Sequence, residues 1–223
     1  MGPMPNLAVI FDMDGVLIDS YQAHFAGWSQ LYKELKIPYT ESDFAADFGR
    51  TSRDILARKF GEQMDDARIR ELDERKEALF RDSIRASFPA MDGALELIDA
   101  LAADGFKLAI GSSAPSENIS LCLERLARGE RFGAVVTGQD VKHGKPDPQV
   151  FQLAASRLGV APEHCVVVED AVHGIEAANR AGMTSVALTG TSTRDELASA
   201  DLIVDSLRDL TPTSLRALIG SRK

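Results

Sequence analysis

Cysteine and histidine are scarce in this 223-residue chain, which has two of the first and four of the second. Cys122 falls in a helical pattern and Cys165 in a strand pattern, with no metal-ligand spacing. A disulfide framework and a Cys/His metal centre are therefore excluded, and both thiols read as core residues. No long apolar run occurs, so no membrane span is expected. Positive charge is in deficit, with 25 Lys and Arg against 34 Asp and Glu for a net charge of -9. That balance argues against nucleic-acid and anionic-membrane partners, although a small anion needs only a few aimed donors. The opening residues, Met1-Gly2-Pro3-Met4-Pro5-Asn6, lack the basic start and apolar core of a secretory signal, so a cytoplasmic location is expected.

What is present begins at Val9-Ile10-Phe11-Asp12-Met13-Asp14-Gly15. An apolar run of strand length ends in two carboxylates two residues apart, and a glycine then permits a sharp turn. Residues two apart in a strand share a face, so Asp12 and Asp14 are expected to meet one bound group. Two like charges that close call for a cation or a shared proton.

Downstream lies a long helical stretch. Tyr21, His24, Phe25, Trp28, Leu31, Tyr32 and Leu35 follow one helix face that Pro38 ends, with Trp28 a core residue. Thr40 caps a second helix starting at Glu41 and carrying Phe44 and Phe48 four apart. Gly49 to Asp54 read as a loop before Ile55, Leu56 and Phe60. A charged helix follows from about Asp65 to Arg85, chiefly a solvated face, with an apolar stripe of Ile69, Leu72, Leu79 and Phe80.

Past Pro89 the pattern alternates. Strands are expected at 107–110, 134–136, 165–168 and 185–188, with an edge strand at 202–204. Helices are expected at 94–101, 115–126, 148–158 and 174–181. Repeated strand–helix units imply an α/β, doubly wound, Rossmann-like parallel sheet, with residues 1–18 and 89–223 forming this unit and residues 19–88 an inserted all-helical cap. In such sheets ligands sit outside the carboxyl ends of the strands. Asp12 and Asp14, Ser112, and Glu169 with Asp170 all fall at such ends.

Asp12, Asp14, Glu169 and Asp170 offer hard oxygen ligands suited to magnesium. Lys145, in a loop stiffened by Pro146 and Pro148, reaches the same rim as a point charge. Ser112 and the amides after it can donate to an anion. Singly, a loop lysine and a capping serine mean little; together with a carboxylate they make a phosphoryl-transfer site.

Asp12-Met13-Asp14-Gly15, Ser112, Lys145-Pro146-Asp147, and Glu169-Asp170 followed by Gly174-Ile175 and Gly182-Met183 resemble, in order and spacing, the motifs of the haloacid dehalogenase superfamily. The helical insert is similar to the cap of the branch containing β-phosphoglucomutase and small sugar-phosphate phosphatases. Aspartate at position 14 separates the chain from the dehalogenases themselves. The resemblance implies Asp12 as nucleophile and Asp14 as general acid–base. It implies magnesium held by the Asp12 carboxylate, the Asp14 carbonyl and Asp170, with Glu169 a direct or supporting ligand, and Lys145 and Ser112 on the phosphoryl group.

The acceptor is left open. His24 and Lys76 resemble mutase positions, and His24 reads equally as a hinge contact or a half-buried helix residue. From Gly49, however, Ser52 occupies the place of the mutase arginine, with Arg53 one position late. Arg50 and Arg53 read as surface charges or as donors to an anion. After Ser112 the chain has Ser113-Ala114-Pro115-Ser116-Glu117-Asn118 where a mutase uses a serine, a lysine and an asparagine. The reading is a phosphatase acting on a small phosphorylated metabolite, with Ser113, Asn118, His24, Arg50, Arg53 and Lys76 as substrate contacts. A β-phosphoglucomutase is the alternative and a silent binding protein a remote third. A monomer is expected.

Overall fold

A computed structural model of the chain describes residues 6–47 and 50–221. The expectations placed on Phe48 and Gly49 lie outside the described residues. The chain divides into two compact units, Met1–Asp19 with Ala90–Lys223, and Ser20–Pro89, each boundary one residue beyond that expected from sequence.

The first unit is a six-stranded sheet, β1 (Ala8–Phe11), β2 (Lys107–Gly111), β3 (Phe132–Val136), β4 (Cys165–Glu169), β5 (Thr184–Leu188) and β6 (Leu202–Val204). Every pairing is parallel, in the order β3-β2-β1-β4-β5-β6. Strands β1, β4 and β5 are buried at every position, as unbroken apolar runs require when helices cover both faces. β3 begins two residues earlier than its apolar core suggested, because Phe132 and Gly133 extend the pairing along a sheet edge.

The helices of the second unit are α1 (Tyr21–Glu34), α2 (Glu41–Asp47), α3 (Ser52–Phe60) and α4 (Asp66–Ala86); those of the sheet unit are α5 (Ala94–Ala103), α6 (Ser116–Leu126), α7 (Gln149–Leu158), α8 (Val172–Arg180) and α9 (Pro212–Ser221). α7 packs on β1, β2 and β3, α5 on β2, α8 on β4 and β5, and α9 on β4. α9 has no counterpart in the sequence reading.

The helical unit packs Trp28, Leu31, Tyr32, Phe44, Ile55, Leu56, Phe60, Ile69 and Leu72 into one core. α1 ends at Glu34, before Pro38, because Lys36 takes a positive φ of 59° and the Ile37 amide closes on the Tyr32 carbonyl at 3.0 Å. Ser52, Arg53 and Asp54 form the first turn of α3 rather than loop. Thr51 caps that turn by accepting from the Asp54 amide at 3.2 Å. α4 is not merely a solvated face: Lys76 and Glu77 are buried in it at 2% and 6% exposure. No helix among the described residues is long and apolar enough to cross a membrane.

Candidate active site

The chain runs outward from β1 through β2 to β3, then returns to β4 on the other side of β1. Strand order reverses between β1 and β4, the switch point outside whose carboxyl ends ligands bind in sheets of this kind. Phe11 lies opposite Val168, and the Asp12 amide extends the ladder by donating to the Val168 carbonyl at 3.0 Å. Asp12 is thus fixed at the seam, 7% exposed.

Asp14 does not share a strand face with Asp12, because β1 stops at Phe11. The amides of Leu17 and Ile18 close on the Met13 carbonyl at 2.9 and 3.2 Å, and Asp14 pairs with Ile18 in an isolated bridge. A tight turn, not pleat periodicity, brings Asp14 near enough for its charge to act on Asp12. Gly15 makes the turn feasible with φ of 73°. A Cβ there would overlap the Asp170 carboxylate, so the missing side chain is also the cradle in which Asp170 lies.

Lys145 ties the seam together. Its Nζ donates to Asp12 Oδ1 at 2.7 Å and to Glu169 Oε1 at 2.6 Å, and its side chain is 10% exposed. The same ammonium lies over the Phe151 ring, 4.9 Å from its centre. The loop that carries it is braced: Gln149 Oε1 accepts from the Lys142 amide at 2.7 Å, and Arg180 on α8 donates to the Pro146 carbonyl at 3.1 Å. The other Glu169 oxygen, Oε2, accepts from the amides of Asp170 at 2.9 Å and Ala171 at 3.0 Å. Glu169 thereby acts here as anchor for Lys145. A Cβ on Gly174, in the first turn of α8, would overlap its carboxyl group.

Ser112 follows β2 directly and is 2% exposed, its amide donating to the Val136 carbonyl at 3.1 Å. It lies on a loop rather than at a helix start, since α6 begins at Ser116. Its Oγ accepts from the Ala114 amide at 3.2 Å, which leaves the O–H as a donor. Ser113 is exposed and Asn118 is buried in the first turn of α6.

The electrostatics are those of a site short of positive charge. Burial pushes the Asp12 carboxyl up to about 7, the Lys145 ammonium opposing and the charges of Glu169 and Asp14 adding to the rise. Burial, with the charges of Glu169 and Asp12, raises Asp170 well above the usual carboxylate range. Burial pulls Lys145 down, yet the Asp12 and Glu169 carboxylates outweigh it and the ammonium is held firmly protonated. Three buried carboxylates thus face one ammonium. No three acidic, His or Cys side chains gather round one point among the described residues. The donor set nonetheless fits magnesium, a hard cation that takes one or two carboxylates and keeps several waters.

Two residues whose structural roles sequence reasoning missed stand out. Gly174 enters the sequence reading only as part of a motif, and its role in making room for the Glu169 carboxyl shows only in the structure. Thr191, on the loop after β5, puts its Oγ1 3.1 Å from the point where a Gly15 Cβ would stand, the same point the Asp170 carboxylate occupies; its one signal was a position past the carboxyl end of a strand.

In the helical unit His24 and Lys76 meet, with Lys76 Nζ 2.8 Å from His24 Nδ1 and 2.8 Å from Glu77 Oε1. His24 stacks on Phe80 with ring centres 4.0 Å apart. Ser52 Oγ donates to the same Glu77 oxygen at 2.5 Å. Burial raises Glu77, but the Lys76 and His24 charges more than offset it and its pKa is lowered. The Lys76 ammonium is therefore engaged inside the unit. Arg50 and Arg53 are exposed, and the Arg53 charge acts on Asp73.

The sequence profile of haloacid dehalogenase-like hydrolases matches residues 9–188. The chain is 32% identical over 205 residues to a validoxylamine A 7'-phosphate phosphatase of Streptomyces hygroscopicus subsp. limoneus, covering 91% of this chain and 93% of that one. It is 34% identical over 212 residues to a β-phosphoglucomutase of Bacillus subtilis strain 168, covering 92% and 91%. A crystal structure of β-phosphoglucomutase from Clostridium difficile superposes with a TM-score of 0.85 at 26% identity, covering 97% of this chain and 98% of that one.

Proposed function

The chain belongs to the haloacid dehalogenase-like hydrolases, and from that membership we propose that it is a magnesium-dependent phosphatase of a small phosphorylated metabolite of the sugar-phosphate class. The observation that carries this reading is the buried Asp12–Lys145–Glu169 bridge at the seam between β1 and β4.

An Asp12 oxygen attacks phosphorus while the bond to the leaving oxygen breaks, and Asp14 gives that oxygen its proton. Asp14 then takes a proton from water as the water oxygen bonds to phosphorus. The Asp12–phosphorus bond breaks, returning free Asp12 and inorganic phosphate. Lys145 and the Ser112 hydroxyl hold the phosphoryl oxygens as charge builds on them. The Asp12 carboxylate, the Asp14 carbonyl and Asp170 would hold magnesium, with Glu169 in support, and the ion would supply the missing positive charge.

The second reading is a phosphomutase, favoured by the His24–Lys76 pair. A mutase grips phosphate at both ends of its substrate and a phosphatase at one. Ser52, at the place of the mutase arginine, is buried and donates to Glu77. Hydrolysis is therefore preferred, with His24, Arg50, Arg53, Lys76, Ser113 and Asn118 as candidates for substrate recognition.

The test is phosphate release over a panel of sugar phosphates, beside a coupled assay for conversion of β-glucose-1-phosphate to glucose-6-phosphate. Phosphate should appear as fast as substrate disappears, without a bisphosphate primer, and chelator should abolish turnover until magnesium is restored. Rapid isomerisation with little phosphate released would establish the mutase; full turnover in excess chelator would remove the metal.

A further inference from the structure

Lys145 reaches the β1–β4 seam from the connection between β3 and α7, whose residues 137–148 form neither helix nor strand. It sits at the corner of a turn that the Asp147 amide closes by donating to the Gly144 carbonyl at 3.0 Å. A single side chain spans the base of that turn. Gln149 Oε1 accepts from two successive amides of the incoming limb, Lys142 at 2.7 Å and His143 at 3.4 Å. The Gln149 amide itself donates to Asp147 Oδ1 at 3.0 Å, so this orphan donor at the start of α7 is satisfied independently of the side chain at 149. Further upstream Asp140 is fixed by the Thr137 amide at 2.8 Å and by Arg157 at 2.6 Å, and downstream the Pro146 carbonyl accepts from Arg180 at 3.1 Å. Gln149 joins the two limbs to each other. Lys145 Nζ serves two carboxylates at once, Asp12 at 2.7 Å and Glu169 at 2.6 Å. A lysine side chain has large rotamer freedom, and both bonds at its tip hold together only while the backbone beneath keeps one place.

We propose that Gln149 is a positioning residue for Lys145: by tying the limb at Lys142 and His143 to the start of α7, its side-chain carbonyl sets where the ammonium meets Asp12 and Glu169. This rests on the reading above only in taking Lys145 to hold the transferring phosphoryl group. The charge comes from the Lys145-Pro146-Asp147 motif, and its placement from a neutral side chain just outside it.

The test labels the full chain, without metal or substrate, with limiting acetic anhydride and reads each lysine by peptide mass spectrometry, for the parent, Q149M and Q149E. Q149M keeps the length and the helix propensity and removes the acceptor, whereas Q149E keeps an acceptor oxygen. Labelling of Lys145 should rise about fivefold in Q149M, the change in open population expected for one lost hydrogen bond. In Q149E it should match the parent. Lys107 donates to the Leu158 carbonyl, at the far end of α7, at 2.7 Å and serves as the control for that helix; its labelling should not change. On a sugar phosphate that the parent hydrolyses, kcat/KM should fall by about 10–100-fold in Q149M and recover in Q149E. Parent-like labelling of Lys145 in Q149M would overturn the inference. So would an equal rise at Lys107, which marks a general loosening of α7, or a freed Lys145 with kcat/KM unchanged. A parent that releases no phosphate from any substrate would overturn the phosphatase reading alone, and the labelling would still decide the role of Gln149. If Q149M does not fold, Q149A is compared with Q149E by the same criteria.

Discussion

At the scale of single residues the two aspartates near the end of β1 have different surroundings, and their roles should separate. Asp12 is fixed by the strand ladder and by Lys145 at 2.7 Å, whereas Asp14 sits half-buried in the turn that Gly15 allows. D12N should abolish phosphoenzyme formation with every substrate. D14N should slow turnover of sugar phosphates by roughly 10²–10⁴-fold, the range of general acid–base catalysis. It should spare the first step for an aryl phosphate whose leaving group needs no proton. Burst-phase measurement with both substrates checks this, and equal loss in the two variants would sink the assignment.

At the scale of elements, the β4–α8 connection is where one absent side chain controls the site. Glycine inside a helix costs about 1 kcal/mol relative to alanine, so on propensity alone G174A would stabilise α8. The Glu169 carboxyl occupies the place of that Cβ, held by two backbone amides and by Lys145. Displacing it breaks a buried ion pair, a loss of about 3–5 kcal/mol, which exceeds the propensity gain. G174A should therefore lower both the melting temperature and kcat. Unchanged activity in a more stable G174A protein would mean that Glu169 does not hold Lys145 in place.

At the scale of the whole molecule, the buried carboxylates at the β1–β4 seam make stability depend on pH. Asp12, at about 7, and Asp170 are both raised above their ordinary value of 3.8, chiefly by burial. The folded state then binds more protons than the unfolded one, so these groups cost stability as pH rises above 3.8, the Asp12 share complete only above about 7. In chelator, D170N should gain in melting temperature over the parent between pH 5 and pH 8. With magnesium at pH 8 the order should reverse, because the ion binds and stabilises only the parent. Differential scanning calorimetry at the two pH values decides it; parallel profiles in chelator would show that Asp170 is not ionised against its surroundings.

The sequence by itself determined the alternating β and α units, the helical insertion after the first strand, and the rim on which Asp12, Ser112, Glu169 and Asp170 fall. Apolar periodicity and glycine or proline punctuation are local signals, legible from neighbouring residues alone. The tertiary structure decided which strand ends touch. Strand β1 lies beside β4, and Lys145 closes on Asp12 across 133 positions of sequence. It also decided that Lys76 and Glu77 lie buried in a helix of solvated appearance, that Glu169 anchors the lysine, and that Asp170 lies against the bare face of Gly15. Those outcomes depend on non-local strand order and on the need of each buried charge for a partner, and the distance to that partner along the chain leaves no periodic trace in the sequence.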